Sequence, residues 1–234
     1  TTTPTTTPHT TPDQPATDQP LTLLAVAPPG HRSPYLPSRM AWRVALFGIP
    51  KVARVAWRTR IKPGRGFPEP PFVIAANHHS FLDPPLVGSA YGRRVRFVTL
   101  ADLFGNYRLL DWALHLFEVI RVRRGKIPLG AIREALAHLA GGGVVAVFPE
   151  GRRVVRFGDF PLQRGAAWLA VRAKVPLVAV AITGTDLVLG IDNKWRRGRV
   201  TLVIGPTLFP DGTGRTAVDD LMRQWTDWIT QTIG

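Results

Sequence analysis

Cysteine is absent from this 234-residue chain. That excludes disulfides, thiolate nucleophiles and cysteine-ligated zinc, while leaving the compartment open. Serine is scarce as well. Ser33, Ser38, Ser80 and Ser89 are the whole complement, and no G-x-S-x-G elbow is present. There is no P-loop to hold a nucleoside triphosphate, and no run of eighteen apolar residues to span a bilayer as a helix. The N-terminus lacks the basic start and apolar core of a signal peptide. Acidic residues are also few, with 16 Asp and Glu against 30 Lys and Arg, a formal charge of +14. Lysine stands only at 51, 62, 126, 174 and 194. Codon usage in a GC-rich genome accounts for part of the arginine bias, but not for the excess of cations. That excess implies a polyanionic partner: a membrane surface, a nucleic acid or phosphorylated substrates.

What remains is ordinary for a globular protein, with 45% apolar and 20% charged residues. The Thr/Pro-rich start, TTTPTTTPHTTPDQPATDQP, holds no Lys or Arg and little to bury, so residues 1–38 are expected to be a disordered tail. Residues 39–60 begin RMAWRVALFGIPKVARVAWR, with basic residues at 39, 43, 51, 54 and 58 near one helical face. Pro50 is expected to split them into two short helices. Two readings stand here: amphipathic helices lying in a membrane interface, or helices packed on their own domain.

From residue 61 to 234 one domain is expected. FVIAA (72–76), VRFVTL (95–100), VIRV (119–122), VVAVF (144–148), PLVAVAI (176–182) and VTLVI (200–204) read as strands. Several are apolar throughout, as strands covered on both faces are. IPLGAIREALAHLAGGG is a helix closed by glycines, with Ile132, Leu136 and Leu139 on its core side. LQRGAAWLAVRA and residues 215–232 are two more. The fold class is α/β, a mixed, mostly parallel sheet flanked by helices.

Two polar clusters follow predicted strands: NHHSFLD (77–83) after FVIAA, and FPEGRR (148–153) at the end of VVAVF. Ligands of α/β sheets bind beyond the carboxyl ends of the strands, so the two clusters should meet in one site. Pro84 and Pro85 mark a first helical turn, with Asp83 as its expected N-cap. The carboxylate can then fold back toward His78, and a histidine oriented by a carboxylate is a general base. A capping role alone is the alternative for Asp83. Ser80 suits a turn or cap better than a nucleophile. Adjacent His78 and His79 point apart, and no second histidine pair has ligand spacing, so no metal is expected.

NHHSFLD resembles the N-H-x-S-x-x-D motif of the 1-acylglycerol-3-phosphate acyltransferases, the glycerolipid or lysophospholipid acyltransferase family. FPEGRR is similar to its F-P-E-G-T-R motif, EVIRVRRG to G-x-I-P-V-x-R, and VPLVAVAI to V-P-I-V-P-V. The four stand in the family's order over roughly residues 70–185. Departures are Leu100 for a frequent lysine, Glu118 for glycine, Arg152 for threonine, Val154 for serine and Ala179 for proline; they lie in regions that the family uses to shape its acceptor and acyl sites.

The resemblance implies acyl transfer from acyl-CoA or an acyl carrier protein to lysophosphatidic acid. These thioesters are co-substrates, and no cofactor is implied. His78 and Asp83 would be catalytic. Asn77, Ser80, Arg124, Glu150, Gly151 and Arg153 would bind substrate, with Arg124 and Arg153 on the phosphate. Other lysophospholipid, glycolipid or amino-lipid acceptors are the alternative, and a non-catalytic basic membrane-binding module is the competing class, one that has no need of His78 beside Asp83. Phe104, Tyr107, Trp112 and Phe117 of residues 102–117 would line an acyl entrance or pack in the core. The expected partner is an anionic membrane at the cytoplasmic face, met as a peripheral or monotopic protein. Nucleic acid is not expected, because KWRRGR (194–199) lacks interleaved aromatics or a reading motif.

Overall fold

The computed structural model describes residue 48 and residues 51–64, 66–100, 119–122 and 129–234. Residues 1–38, Pro50, Glu118, Arg124 and the segment 102–117 lie outside them, so the expectations placed there have no structural counterpart below.

A seven-stranded sheet organises the described residues. Its strands are β1 (Arg60–Lys62), β2 (Phe72–Ala76), β3 (Arg96–Leu100), β4 (Ile120–Val122), β5 (Val144–Val147), β6 (Leu177–Thr183) and β7 (Thr201–Leu208). They lie in the order β1-β7-β6-β2-β5-β3-β4, and every neighbouring pair is parallel except β6 with β7. The helices are α1 (51–57), α2 (Asp83–Tyr91), α3 (Leu129–Ala140), α4 (Gly165–Ala173), a single turn α5 (Thr185–Val188) and α6 (Gly214–Ile233).

The apolar strands are explained by two cores, one on each face. Phe72, Ile74 and Ala76 of β2 pack with Leu86 and Val87 of α2 and Ala53 of α1. The alternate residues Val73 and Ala75 face α3, α4 and α6, among Leu139, Leu169, Leu221 and Trp225. A strand with a core on either side has no position for a polar residue. Trp225 is fully buried, and its indole N–H donates to the Ala75 carbonyl at 2.9 Å. Emptying such a site costs about 3–5 kcal/mol.

Three details depart from the sequence expectations. The short edge strand β1 gave too few residues to show a period. In α3 the buried pair is Ala135 and Leu139, with Ile132 and Leu136 only half-buried, so the contact face is rotated toward the smaller residue. Asp83 is not the N-cap of α2: Leu82 holds that position in a helical conformation, without a side-chain cap bond. Asp83 opens the helix, and its carboxylate is turned back over residues 78–80.

This sheet places the site. β2 lies between β5 and β6, all three parallel. The chain leaves β2 into α2 on one face and leaves β5 toward α4 on the other. Adjacent parallel strands whose connections diverge open a crevice at their carboxyl ends, where such folds bind ligands.

Candidate active site

Asn77 follows β2 immediately. Its side-chain nitrogen donates to the Ile182 carbonyl and its oxygen accepts from the Ile182 N–H, both at 2.7 Å. The side chain thereby adds one more rung to the β2–β6 ladder, which ends at Ala76 and Val180. Ser80 is fully buried; its hydroxyl donates to the Leu189 carbonyl at 2.6 Å and accepts from the Leu82 N–H at 3.1 Å. Those bonds are the turn role that its position suggested. Between these two anchors the backbone holds His78 at the mouth of the crevice.

His78 Nδ1 lies 2.9 Å from Asp83 Oδ2. The same oxygen accepts the backbone N–H groups of His79 and Ser80, each at 2.7 Å. Asp83 is wholly buried, whereas the His78 side chain is 14% exposed. A carboxylate held by two fixed N–H donors has one orientation, and it presents an acceptor to Nδ1. The proton therefore belongs on Nδ1, and Nε2 keeps a lone pair. The ring lies on Phe148 with centroids 4.2 Å apart and planes 22° from parallel, which sets its tilt.

The second cluster closes around the first. Glu150 Oε1 accepts the His78 N–H at 3.1 Å. Burial pushes the Glu150 carboxyl above its ordinary pKa, opposed by backbone N–H groups and the nearby histidines. Gly151, at φ +64°, turns the chain in a left-handed conformation that favours glycine. Val154 N–H donates to the His78 carbonyl and Val154 O meets His79 Nδ1, both at 2.9 Å. Val154 is buried, and its main chain holds the two motifs together.

Arg153 is half-buried. Its guanidinium lies over the Phe81 ring, 3.6 Å from the centroid, and Nη1 donates to Asn193 Oδ1 at 2.9 Å. Desolvation lowers its pKa, and the charge of Asp83 offsets part of that effect. The fork has five N–H donors, so a planar anion can be held beyond the one used by Asn193. An open cavity of about 220 Å³ adjoins this region, lined by His79, Val154, Asp186, Gly190, Ile191 and Arg196. Among the described residues no cluster of His, Asp and Glu is placed to hold a metal.

Thus His78, Asp83, Glu150, Gly151 and Arg153 converge, and Asn77 and Ser80 stand beneath them with their polar atoms bonded to backbone. Sequence reasoning missed the stacking of Phe148, the platform of Phe81 and the contact from Asn193. Only Phe148 carried a signal, as the first residue of FPEGRR.

The sequence model of the acyltransferase family matches residues 55–183, more than half the chain, including His78, Asp83, Glu150, Gly151 and Arg153. The chain belongs to that family. This acyltransferase is 28% identical over 216 residues to a 1-acyl-sn-glycerol-3-phosphate acyltransferase of Pseudomonas aeruginosa, covering 86% of this chain and 81% of that one. A Bacillus subtilis protein of the same name is 27% identical over 165 residues, covering 69% and 79%. The fold matches the 1-acyl-sn-glycerophosphate (LPA) acyltransferase of Thermotoga maritima with a TM-score of 0.64 at 22% identity, covering 82% of the acyltransferase and 81% of that structure.

Proposed function

We propose that this acyltransferase moves a fatty acyl group from acyl-CoA or an acyl carrier protein to the free hydroxyl of lysophosphatidic acid, yielding phosphatidic acid. The observation that carries this is the His78–Asp83 pair, with Nδ1 engaged at 2.9 Å and Nε2 left as a base. Nε2 takes the hydroxyl proton as the oxygen attacks the thioester carbonyl. The C–O bond forms, the C–S bond breaks, and the thiolate leaves as a thiol by taking up that proton. Asp83 stabilises the imidazolium in between. No covalent enzyme intermediate is required, in keeping with a chain that has no cysteine and whose Ser80 hydroxyl is spent on backbone. The acceptor assignment draws on the names of the two bacterial relatives. Arg153 then holds the phosphate, together with Arg124.

Acceptor and product reside in a bilayer, so the enzyme works as a peripheral or monotopic protein at the cytoplasmic face of the membrane. No helix among the described residues is long and apolar enough to cross one. The test compares wild type with Arg153→Ala on two acceptors, using labelled acyl-CoA. Arg153 is only half-buried, so its loss is set at the lower end for a charge pair, about 2 kcal/mol or roughly 30-fold in kcat/KM for lysophosphatidic acid. Monoacylglycerol, which lacks the phosphate, should be a poor acceptor and lose little. Equal proportional losses on both acceptors remove Arg153 from phosphate binding and make it a brace for its turn.

A further inference from the structure

Beyond the catalytic crevice, the sheet's active end also carries the connection from β6 to β7. Gly184, at φ +84°, opens it by passing so close to the Arg199 carbonyl that a Cβ would lie 2.0 Å from that oxygen. After α5 the chain forms a tight hairpin. Leu189 bridges antiparallel to Trp195, Arg196 N–H donates to the Val188 carbonyl at 2.8 Å, and Asn193 N–H to the Gly190 carbonyl at 3.0 Å. Asn193 takes the left-handed turn position at φ 56° that asparagine tolerates.

The surface of this hairpin has an unusual composition. Leu187, Ile191 and Trp195 are exposed, Trp195 by 62%. Around them stand Lys194, Arg196, Arg197 and Arg199, all exposed. Asp192 pairs only with Arg196 of these side chains, leaving a cationic excess on an apolar ridge. A second element continues the ridge. Trp57, at the end of α1, stacks on Trp195 with centroids 5.3 Å apart, and Val200 N–H donates to the Trp57 carbonyl. Two and five residues before Trp57 on the same helix, Val55 and Val52 are exposed beside Lys51, Arg54 and Arg58, Val55 by 84%.

We infer that the 187–199 hairpin is a docking surface for an anionic bilayer, joined to α1 through the Trp57–Trp195 stack. Exposed aliphatic and tryptophan side chains ringed by an excess of cations complement an anionic interface, where indole rings settle at headgroup depth. A nucleic-acid partner would account for the cations and leave Leu187, Ile191 and Val55 unexplained. The hairpin also touches the site: Leu189 O accepts the Ser80 hydroxyl and Asn193 accepts from Arg153. Docking therefore brings Arg153 to headgroup level, and in this respect the inference rests on the lipid acceptor proposed above.

Sedimentation of the full chain with phosphatidylglycerol or phosphatidylcholine vesicles tests it. Wild type should bind the anionic vesicles at least about tenfold more tightly, since each cation near such a surface contributes about 1 kcal/mol. By the same constant, Lys194→Glu with Arg197→Glu should weaken that binding roughly 30-fold or more at low salt. Leu187→Gln with Trp195→Gln should weaken binding to both vesicles. Both variants should acylate a monomeric short-chain lysophosphatidic acid as wild type does. Unchanged sedimentation of cooperatively melting variants overturns the inference, as does a wild type that binds duplex DNA and no vesicles. If a variant fails to fold, brominated-lipid quenching of wild type against Trp195→Phe decides: reduced quenching supports the hairpin, and equal quenching overturns it. An enzyme that ignores lysophosphatidic acid yet loses vesicles on substitution removes the acceptor and keeps the docking surface.

Discussion

Three connections leave the same end of three adjacent parallel strands, and they are built on opposite plans. The turns after β2 and β5 are buried and polar. Asn77, Ser80, Asp83 and Glu150 have almost no exposure, and most of their side-chain donors and acceptors are matched to a specific atom, Asp83 Oδ1 and Glu150 Oε2 being the exceptions. The connection after β6 is exposed, with cations facing solvent beside bare apolar side chains. Buried polar groups cost free energy unless paired, and once paired they have a single arrangement. Solvated charges are weakly constrained and act as a field. The first plan suits a base that must sit at one atom; the second suits an extended, soft target. Ser80 and Arg153 join the two plans, each bonding from a motif turn to the hairpin.

The largest test of this contrast is at His78. His78→Ala should lower turnover by about 10²–10⁴-fold with the fold retained, and Asp83→Asn should cost a comparable factor. His79→Ala should be far milder in turnover, because its ring bonds to Val154 O and not to Asp83. Near-normal rates from a folded His78→Ala enzyme would sink the general-base reading. Steady-state assays on purified, cooperatively melting variants distinguish these outcomes.

Next in size is Asn77, where the expected effect falls on stability. Asn77→Ala leaves the buried Ile182 N–H and C=O without their side-chain partners. At about 1–3 kcal/mol for each unsatisfied group, the loss should be roughly 2–6 kcal/mol in urea unfolding. An exposed hairpin substitution such as Lys194→Gln should cost no more than about 0.5 kcal/mol. If both lose the same amount, the contrast between a paired interior and a solvated hairpin fails.

The smallest effect concerns pH. Burial raises the folded-state pKa of Glu150 above the ordinary 4.5. A raised carboxyl binds its proton more tightly folded than unfolded. Its contribution is therefore fully present below the ordinary value and is lost as pH rises through the raised one. Glu150→Gln keeps an oxygen for the His78 N–H and removes the titration. The variant should lack that fall in stability within the window above pH 4.5, as read from melting temperatures across mildly acidic buffers. An identical slope in wild type and variant would mean that the carboxyl titrates as a solvated one.

Much of this protein is determined by local sequence. The apolar runs of β2, β5 and β6 announced strands covered on both faces, because only such strands have no place for a polar residue. Their spacing with helical segments announced a mostly parallel sheet, and the His-x4-Asp turn and FPEGRR announced a shared site. The tertiary structure alone decided the rest. No spacing rule puts Ile182 against Asn77, Leu189 against Ser80 or Asn193 under Arg153, since these partners lie 105, 109 and 40 residues away. Likewise, nothing in the sequence joins the 39–60 segment to the KWRRGR run, and only the stacking of Trp57 on Trp195 connects α1 with the hairpin. A short-range pattern records which faces must be buried. Which distant atom satisfies a buried donor depends on the strand order, and that order is settled by the packing of the whole sheet.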